Sequence, residues 1–164
     1  MRVWAQGELT KGRPMKMSYG RFAAMIGTAT VIMFGLMYST VYALDHVTWS
    51  ETRSYMALYM GAVMAIVMLG FMWKMYPNRK TNVGIVIGAA VVIAGGLFLA
   101  RSQETVQDVS YMRAMIPHHS IAIPTSERAE ISDPRVRELA DEIIEAQRRE
   151  IDEMKALIAD LQGE

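Results

Sequence analysis

Cysteine is absent from this chain of 164 residues, and histidine occurs only three times. The lack of thiols excludes disulfide bonds and thiolate metal sites, and it suits an oxidising compartment, where a free thiol would be vulnerable. The chain also lacks Glu-x-x-His and His-Glu-x-x-His motifs, a phosphate-cradling glycine loop and a nucleophile–histidine–acid set. These absences argue against di-iron, zinc-hydrolase and phosphate-transfer chemistry, so we expect no enzyme activity.

Charge is absent from three long stretches, residues 22–44, 54–73 and 83–100. At about 1.5 Å per helical residue, each stretch is long enough to cross a hydrocarbon core of roughly 30 Å. The sequence therefore predicts a three-helix transmembrane domain over residues 22–101, with the lipid bilayer as its partner. The first run is too long for the core of a signal peptide, and we interpret it as an uncleaved anchor.

The basic residues predict the orientation of these spans. The tail of residues 1–21 carries five Lys and Arg against Glu8 alone, and the second loop has Lys74, Arg79 and Lys80 without an acid. Because cytoplasmic loops are enriched in Lys and Arg, the tail is expected in the cytoplasm and residues 102–164 outside it. We expect a bacterial inner (cytoplasmic) membrane protein with a periplasmic or extracytoplasmic C-terminal domain.

Methionine is abundant where charge is absent. The second run contains an i, i+4 series that drifts slowly around the helix, namely Met56, Met60, Met64, Met68 and Met72. One interpretation is a ladder of thioethers that conducts Cu(I). Packing and lipid contact are the favoured interpretation, because no acid, histidine or amide lies within the three runs. In the third run, Gly84 and Gly88 have the spacing of a close helix contact.

The remaining residues form the pattern of a helical hairpin. A helical stripe runs from Gln103 to Arg128, and Pro117 and Pro124 predict one or two kinks in it. Asp133 and Pro134 are a good N-cap and first residue for a second helix, which extends to about Leu161. The expected fold is all-α, with three transmembrane helices followed by an extracytoplasmic hairpin. Since two helices bury little surface, a homodimer or higher homo-oligomer is expected to complete a four-helix bundle.

A candidate metal site lies on this hairpin. The first helix places Met112, Met115, His118 and His119 within eight residues, and imidazole with thioether suits copper, thioether especially the cuprous ion. Residues equidistant from a pivot at residue 132 should face each other across the hairpin. Within one turn of error, this brings Gln147, Glu150 and Met154 opposite the cluster.

Simpler interpretations stay open for these residues. The histidines suit a solvated helix face, Gln147 a surface position, and Glu150 the charge run at Arg148 and Arg149. Near the end of the first span, Asp45 and His46 suit a site that collects cations, although a solvated helix end is the favoured interpretation. The segment of residues 101–164 carries eight basic and fourteen acidic residues, which argues against nucleic acid as a partner.

Three segments closely resemble the domain-of-unknown-function 305 family, namely Asp108–His119, Asp133–Ala140 and Ile143–Met154. Arg53–Met60 is similar to the membrane-anchored branch of that family. The resemblance implies a ferritin-like helical bundle and, from exported relatives, a copper site with Met and His ligands. It adds Asp108 to the seven candidate residues above. Two departures are Thr125, where many members have Met, and Pro124 within the helix.

The sequence thus predicts a membrane-anchored, extracytoplasmic metal-binding protein for copper buffering, delivery or resistance, acting with copper-handling partner proteins. Cu(I) is favoured over Cu(II), and zinc is less favoured. The alternative is a non-catalytic accessory subunit of a larger membrane complex, with the hairpin as its interaction module. A third hypothesis is copper conduction along the Met56–Met72 band.

Overall fold

The computed structural model describes residues 18–163. Of the predicted cytoplasmic tail, residues 1–17 lie outside the described range. Within that range the chain forms five α-helices and no strand, which confirms the all-helical prediction there. The helices are α1 (Tyr19–Leu36), α2 (Glu51–Phe71), α3 (Arg79–Ser102), α4 (Asp108–Arg128) and α5 (Pro134–Gln162), and two 3₁₀ turns cover Leu44–His46 and Trp73–Met75.

Helices α1, α2 and α3 are long and apolar enough to cross a membrane. Helix α2 packs against both of the others through small residues. A Cβ added at Gly61 would overlap the Thr30 hydroxyl of α1, and one added at Gly96 would lie 3.2 Å from Tyr59 Cβ. Small residues therefore set the distances between these helices.

The pair Gly84 and Gly88 plays no such role among residues 18–163. A Cβ added at either position would meet no heavy atom within 4 Å in the described structure. Both glycines lie on an exposed part of α3. Their spacing is available for contact with another helix, but not with α1 or α2.

Part of the methionine band has a packing role. Met68 and Met72 pack against a buried cluster that includes Phe22, Leu69 and Tyr76. Met60, in contrast, is 36% exposed. These contacts agree with the favoured interpretation of the band, in which methionine fills space between helices and meets lipid.

The first charge-free run is longer than the helix it forms, which corrects the predicted extent of that span. Helix α1 ends at Leu36, and the Ser39 hydroxyl donates a 2.7 Å hydrogen bond to the Leu36 carbonyl. Arg53 donates from Nη1 to the Met37 carbonyl at 2.8 Å. A cation is favourable at a helix C-terminus, where unpaired carbonyls carry partial negative charge. Residues 37–50 therefore leave the helix and form a connection toward α4.

This connection, residues 37–50, docks on α4 through buried polar groups. Ser120 is fully buried, its Oγ accepts a 2.7 Å hydrogen bond from Tyr42 N, and it lies 2.8 Å from His46 Nδ1. Lys155 of α5 pairs with Asp45 at 2.5 Å. The expectation of a solvated helix end at His46 is wrong, because this ring is only 8% exposed.

A second docking contact depends on a proline. Helix α4 continues through Pro117, which has no N–H to donate to the carbonyl of Arg113. Thr48 of the connection donates its hydroxyl to that carbonyl at 2.5 Å. The connection thus supplies the donor that the proline removes from the helix.

The hairpin of α4 and α5 has its own core. Ile116 and Ile123 of α4 meet Ile144 and Ile151 of α5, and all four are buried. Helix α5 begins at Pro134 as predicted, with the Asp133 carboxylate accepting from Arg135 N at 2.9 Å. It ends at Gln162 and is capped by Gly163, whose φ of 71° suits glycine.

Replacing Ser120 with Ala is expected to destabilise the docked hairpin by about 1–3 kcal/mol, since the Tyr42 N–H and the buried His46 ring lose their partner. Thermal unfolding of the full chain in detergent measures this loss. Ser126→Ala on the same helix is the matched control, with an expected change within about 0.5 kcal/mol. Equal effects of the two substitutions would contradict the docking role of Ser120.

Docking is also expected to weaken in acid. Burial lowers the pKa of His46, and the charge of Lys155 lowers it further, against the opposing effects of Asp45 and Asp152. His46 therefore binds a proton more readily when residues 37–50 are undocked. The contribution of the neutral His46 ring to docking is complete above about pH 6.5, the ordinary pKa of histidine. It declines as the pH falls toward the lower pKa of the docked ring.

Chymotryptic cleavage after Tyr42 and Leu44 measures this opening. Cleavage is expected to speed up between pH 7.5 and 5.5 after correction for protease activity. A His46→Gln variant retains hydrogen-bonding capacity without the titration, so its cleavage should depend less on pH. The same pH response in both proteins would contradict the assignment to His46.

Candidate metal centre

An open cleft of about 520 Å³ lies between α4 and α5. It brings together six of the eight predicted site residues, namely Asp108, Met112, Met115, His119, Glu150 and Met154. Those on α4 are spaced four, three and four residues apart, and Glu150 and Met154 are four apart on α5. Such spacings place side chains on one helix face, so the local sequence pattern explains why each set points into the cleft.

Soft donors and carboxylates both line the cleft. Met112, Met115 and Met154 contribute three thioethers, and His119 contributes an imidazole. Met112 is buried and the other two methionines are half-buried. Thioethers of this kind suit Cu(I), whereas carboxylates favour harder cations.

His119 makes a polar contact at each ring nitrogen. Its Nδ1 lies 3.0 Å from the Met115 carbonyl oxygen, and its Nε2 lies 2.8 Å from Glu150 Oε2. Because the carbonyl only accepts, Nδ1 carries a proton and Nε2 is the nitrogen available to a metal. The backbone thus orients the imidazole, as outer partners commonly do for metal-binding histidines. A metal ion bound at Nε2 would replace the contact between this nitrogen and Glu150.

The register differs from the one that the turn predicts. Counting from the turn places His119 opposite residue 145, whereas the structure places it opposite Glu150, five residues further. The polar interruption of α5 does meet the Met and His cluster of α4. The histidine that contacts Glu150 is His119, not its neighbour His118.

His118 lies apart from the cleft. Its side chain lines a second groove, between α4 and the ends of α1 and α2, and the two imidazole centroids are 6.2 Å apart at an angle of 73°. Successive helical residues point about 100° apart, and passage through Pro117 has not turned His118 toward the same side as His119. Gln147 is half-buried and is likewise not part of the cleft lining.

Five residues of the cleft were missed by the sequence argument. They are Tyr111, Glu153, Leu157, Asp160 and Leu161. The four on α5 follow Glu150 at helical spacings, so an extension of the same face to the end of the helix would have found them. Glu153 and Asp160 add acidic groups to a predominantly apolar wall.

Methionine is essential to any metal site in this cleft. Among residues 18–163, no three His, Asp or Glu side chains converge closely enough to hold a metal ion. The helices bring one imidazole and three thioethers into the lining of a single cleft, together with the carboxylates of Asp108, Glu150, Glu153 and Asp160.

Comparison with known proteins places this hairpin in a family. Residues 99–164 match the family described as Domain of unknown function (DUF305). The chain belongs to this family. It is also 35% identical over 102 residues to an uncharacterized protein of Acanthamoeba polyphaga mimivirus, covering 58% of this chain and 67% of that protein. That alignment is longer than the family match, so the likeness to the viral protein extends beyond the hairpin. No solved structure matches the chain.

Stability of the hairpin should depend on its isoleucines and little on the His119–Glu150 pair. The pair is partly exposed, with side-chain accessibilities of 15% and 42%, so His119→Gln is expected to cost about 1 kcal/mol or less. Ile151→Ala removes a fully buried side chain, and about 2–5 kcal/mol is expected. Denaturant unfolding of the two variants distinguishes these effects. A larger loss for His119→Gln would mean that the pair holds the hairpin together.

Proposed function

We propose that this DUF305 protein binds Cu(I) in the cleft between α4 and α5. The observation that carries the proposal is that Met112, Met115 and Met154 line the same cleft as His119, whose Nδ1 contacts the Met115 carbonyl. Three neutral thioethers with one imidazole favour the cuprous ion over Cu(II) and over zinc, which prefer harder or more highly charged sets of ligands.

Glu150 and Asp108 have supporting roles in this proposal. Glu150 contacts the ring of His119 and lines the same cleft, so it would lie near the bound ion. Its carboxylate offsets the positive charge that the ion brings into the cleft, and it orients the imidazole when the ion is absent. Asp108, at the first turn of α4, adds negative charge at one end of the cleft.

The proposal concerns binding, without catalysis. Buffering, delivery to a copper-handling partner and resistance all require an ion that is held and released, and an open cleft suits exchange with solvent or a partner. The three apolar helices would anchor the module to a bacterial inner membrane. In the orientation favoured by the basic residues, the tail lies in the cytoplasm and the cleft on the outer side.

A homo-oligomer is part of the same proposal. On α5, Val136, Leu139 and Ile143 form a stripe that is 50%, 54% and 36% exposed. Leu157 and Leu161 extend the exposed apolar surface near the cleft. A second copy that covers these side chains would complete the helical bundle implied by the family resemblance.

The same stripe favours one alternative, an accessory subunit that docks on a larger membrane complex. In that case Val136, Leu139 and Ile143 would contact another protein, and the cleft would have no metal to hold. The two functions differ in their dependence on His119, since a purely structural subunit should keep its activity in the complex after His119→Leu.

The test of the proposal is a titration of the full chain in detergent with Cu(I), without oxygen and against a competing chelator. His119→Gln and Met112→Leu each remove one ligand, and each is expected to weaken cleft binding at least about tenfold. Zn(II), titrated in parallel, is expected to bind more weakly than Cu(I).

Met25→Leu is the control, because Met25 is an exposed methionine of α1 far along the chain from the hairpin. This variant should bind like the unmodified protein. Undiminished Cu(I) binding by the double variant His119→Gln, Met112→Leu would contradict the proposed site, and an absence of Cu(I) binding by the full chain would favour the accessory subunit.

A further inference from the structure

A second set of soft donors meets in the groove that holds His118. This groove, about 390 Å³ in volume, lies between α4 and the ends of α1 and α2. Its lining includes Met37, Met56, Met115 and His118. The donors are again thioethers and an imidazole, and they include His118, a predicted ligand that does not line the cleft.

These four residues come from three separate parts of the chain. Met37 follows the last residue of α1, Met56 lies in the second turn of α2, and Met115 and His118 are three residues apart on α4. Sequence spacing alone would not bring them together. The docking of the connection on α4, through Thr48 and Ser120, holds the three parts in this arrangement.

Met115 belongs to both sites. Its side chain lines the cleft with Met112, His119 and Met154, and it lines the groove with Met56 and His118. A flexible thioether on the wall between two sets of donors can bind an ion from either side by a change of rotamer. The two sites are therefore adjacent and share one potential ligand.

The charges that line the groove favour a monovalent metal ion over a divalent one. The lining contains no carboxylate, and it includes Arg53, which is 9% exposed. The guanidinium of Arg53 lies 4.5 Å from the centroid of the Tyr38 ring and donates to the Met37 carbonyl. Its positive charge repels a divalent ion twice as strongly as a monovalent one. Neutral sulfur and nitrogen donors beside a fixed cation thus suit Cu(I) or Ag(I), in contrast to Zn(II) or Cu(II).

We infer that the groove is a second Cu(I) site, with Met37, Met56, Met115 and His118 as ligands and Met115 as the residue that passes the ion between groove and cleft. The inference rests on the proposed function for the identity of the ion. Transfer is a ligand exchange in which bonds to Met112, Met154 and His119 break as bonds to Met37, Met56 and His118 form, while Met115 stays bound. The ion stays Cu(I) throughout, so no electron donor or acceptor is needed. Two of the ligands, Met37 and Met56, lie outside the residues that match the family.

The stoichiometry of Ag(I) binding tests this inference, because Ag(I) resembles Cu(I) in its ligands and does not change oxidation state in air. Isothermal titration of the full chain in detergent is expected to show two ions per chain. The double variant Met56→Leu, His118→Gln should bind one ion, and so should the cleft variant Met112→Leu, His119→Gln. Met115→Leu should weaken both sites.

Met60→Leu is the matched control for Met56→Leu. Met60 lies one turn further along α2, is 36% exposed and is not part of the groove lining, so this variant should still bind two ions. Leu replaces Met with little change in volume, and circular dichroism verifies that each variant is as helical as the unmodified chain. If a variant keeps its helicity but binds fewer ions, the loss is due to the missing ligands and not to unfolding.

The outcomes separate the two proposals. Two ions bound by the Met56→Leu, His118→Gln variant would overturn the groove site. A single ion in the unmodified chain, lost only with the cleft variant, would also overturn it and leave the proposed function standing. If the unmodified chain bound a single ion that was lost only in the groove variant, the groove site would be supported and the cleft site overturned. X-ray absorption on the cleft variant loaded with Cu(I) should detect a nitrogen ligand that disappears with His118→Gln, and its persistence would contradict the assignment of His118.

Discussion

The docking of residues 37–50 on α4 is the contact on which the arrangement of this protein depends. Two polar groups of α4 make it possible: the Arg113 carbonyl left without a donor by Pro117, and the buried hydroxyl of Ser120. Each would be costly to bury alone, and each finds its partner in the connection. The helix that carries the candidate ligands is thereby held against the ends of α1 and α2. Without this contact the cleft would survive within the hairpin, but the groove would not exist.

The chemistry of the two candidate sites follows from the lack of cysteine and from the way methionine is distributed. Thioethers stay neutral, so they can be clustered in partly buried places where several carboxylates would repel one another. Of the two candidate sites, only the cleft is lined by acidic groups, namely Asp108, Glu150, Glu153 and Asp160. The groove lies beside the Arg53 guanidinium and is lined by neutral donors only. This difference would make the cleft the site that attracts cations and the groove the site that selects among them.

Much of the fold could be predicted from the sequence because the signals are local. The charge-free runs indicated three apolar helices, and Asp133 with Pro134 marked the start of α5 correctly. The helical spacing of Met112, Met115 and His119 placed them on one face, and six of eight candidate residues do line one cleft. The first span was overestimated, because hydropathy cannot detect the capping of α1 by Ser39 and Arg53 near Leu36. His46 was misjudged because its burial depends on Ser120, which is far away in the sequence.

The sequence by itself determined the helices, their apolar faces and the supply of soft donors, since periodicity and composition act within a few turns of one helix. Only the tertiary structure decided which donors meet. It separated His118 from His119, paired His119 with Glu150 and joined Met37 and Met56 to α4. The physical reason is that register and docking are set by contacts between distant segments, such as the isoleucine core of the hairpin and the buried Ser120 hydroxyl. Such contacts leave no periodic trace in a single sequence.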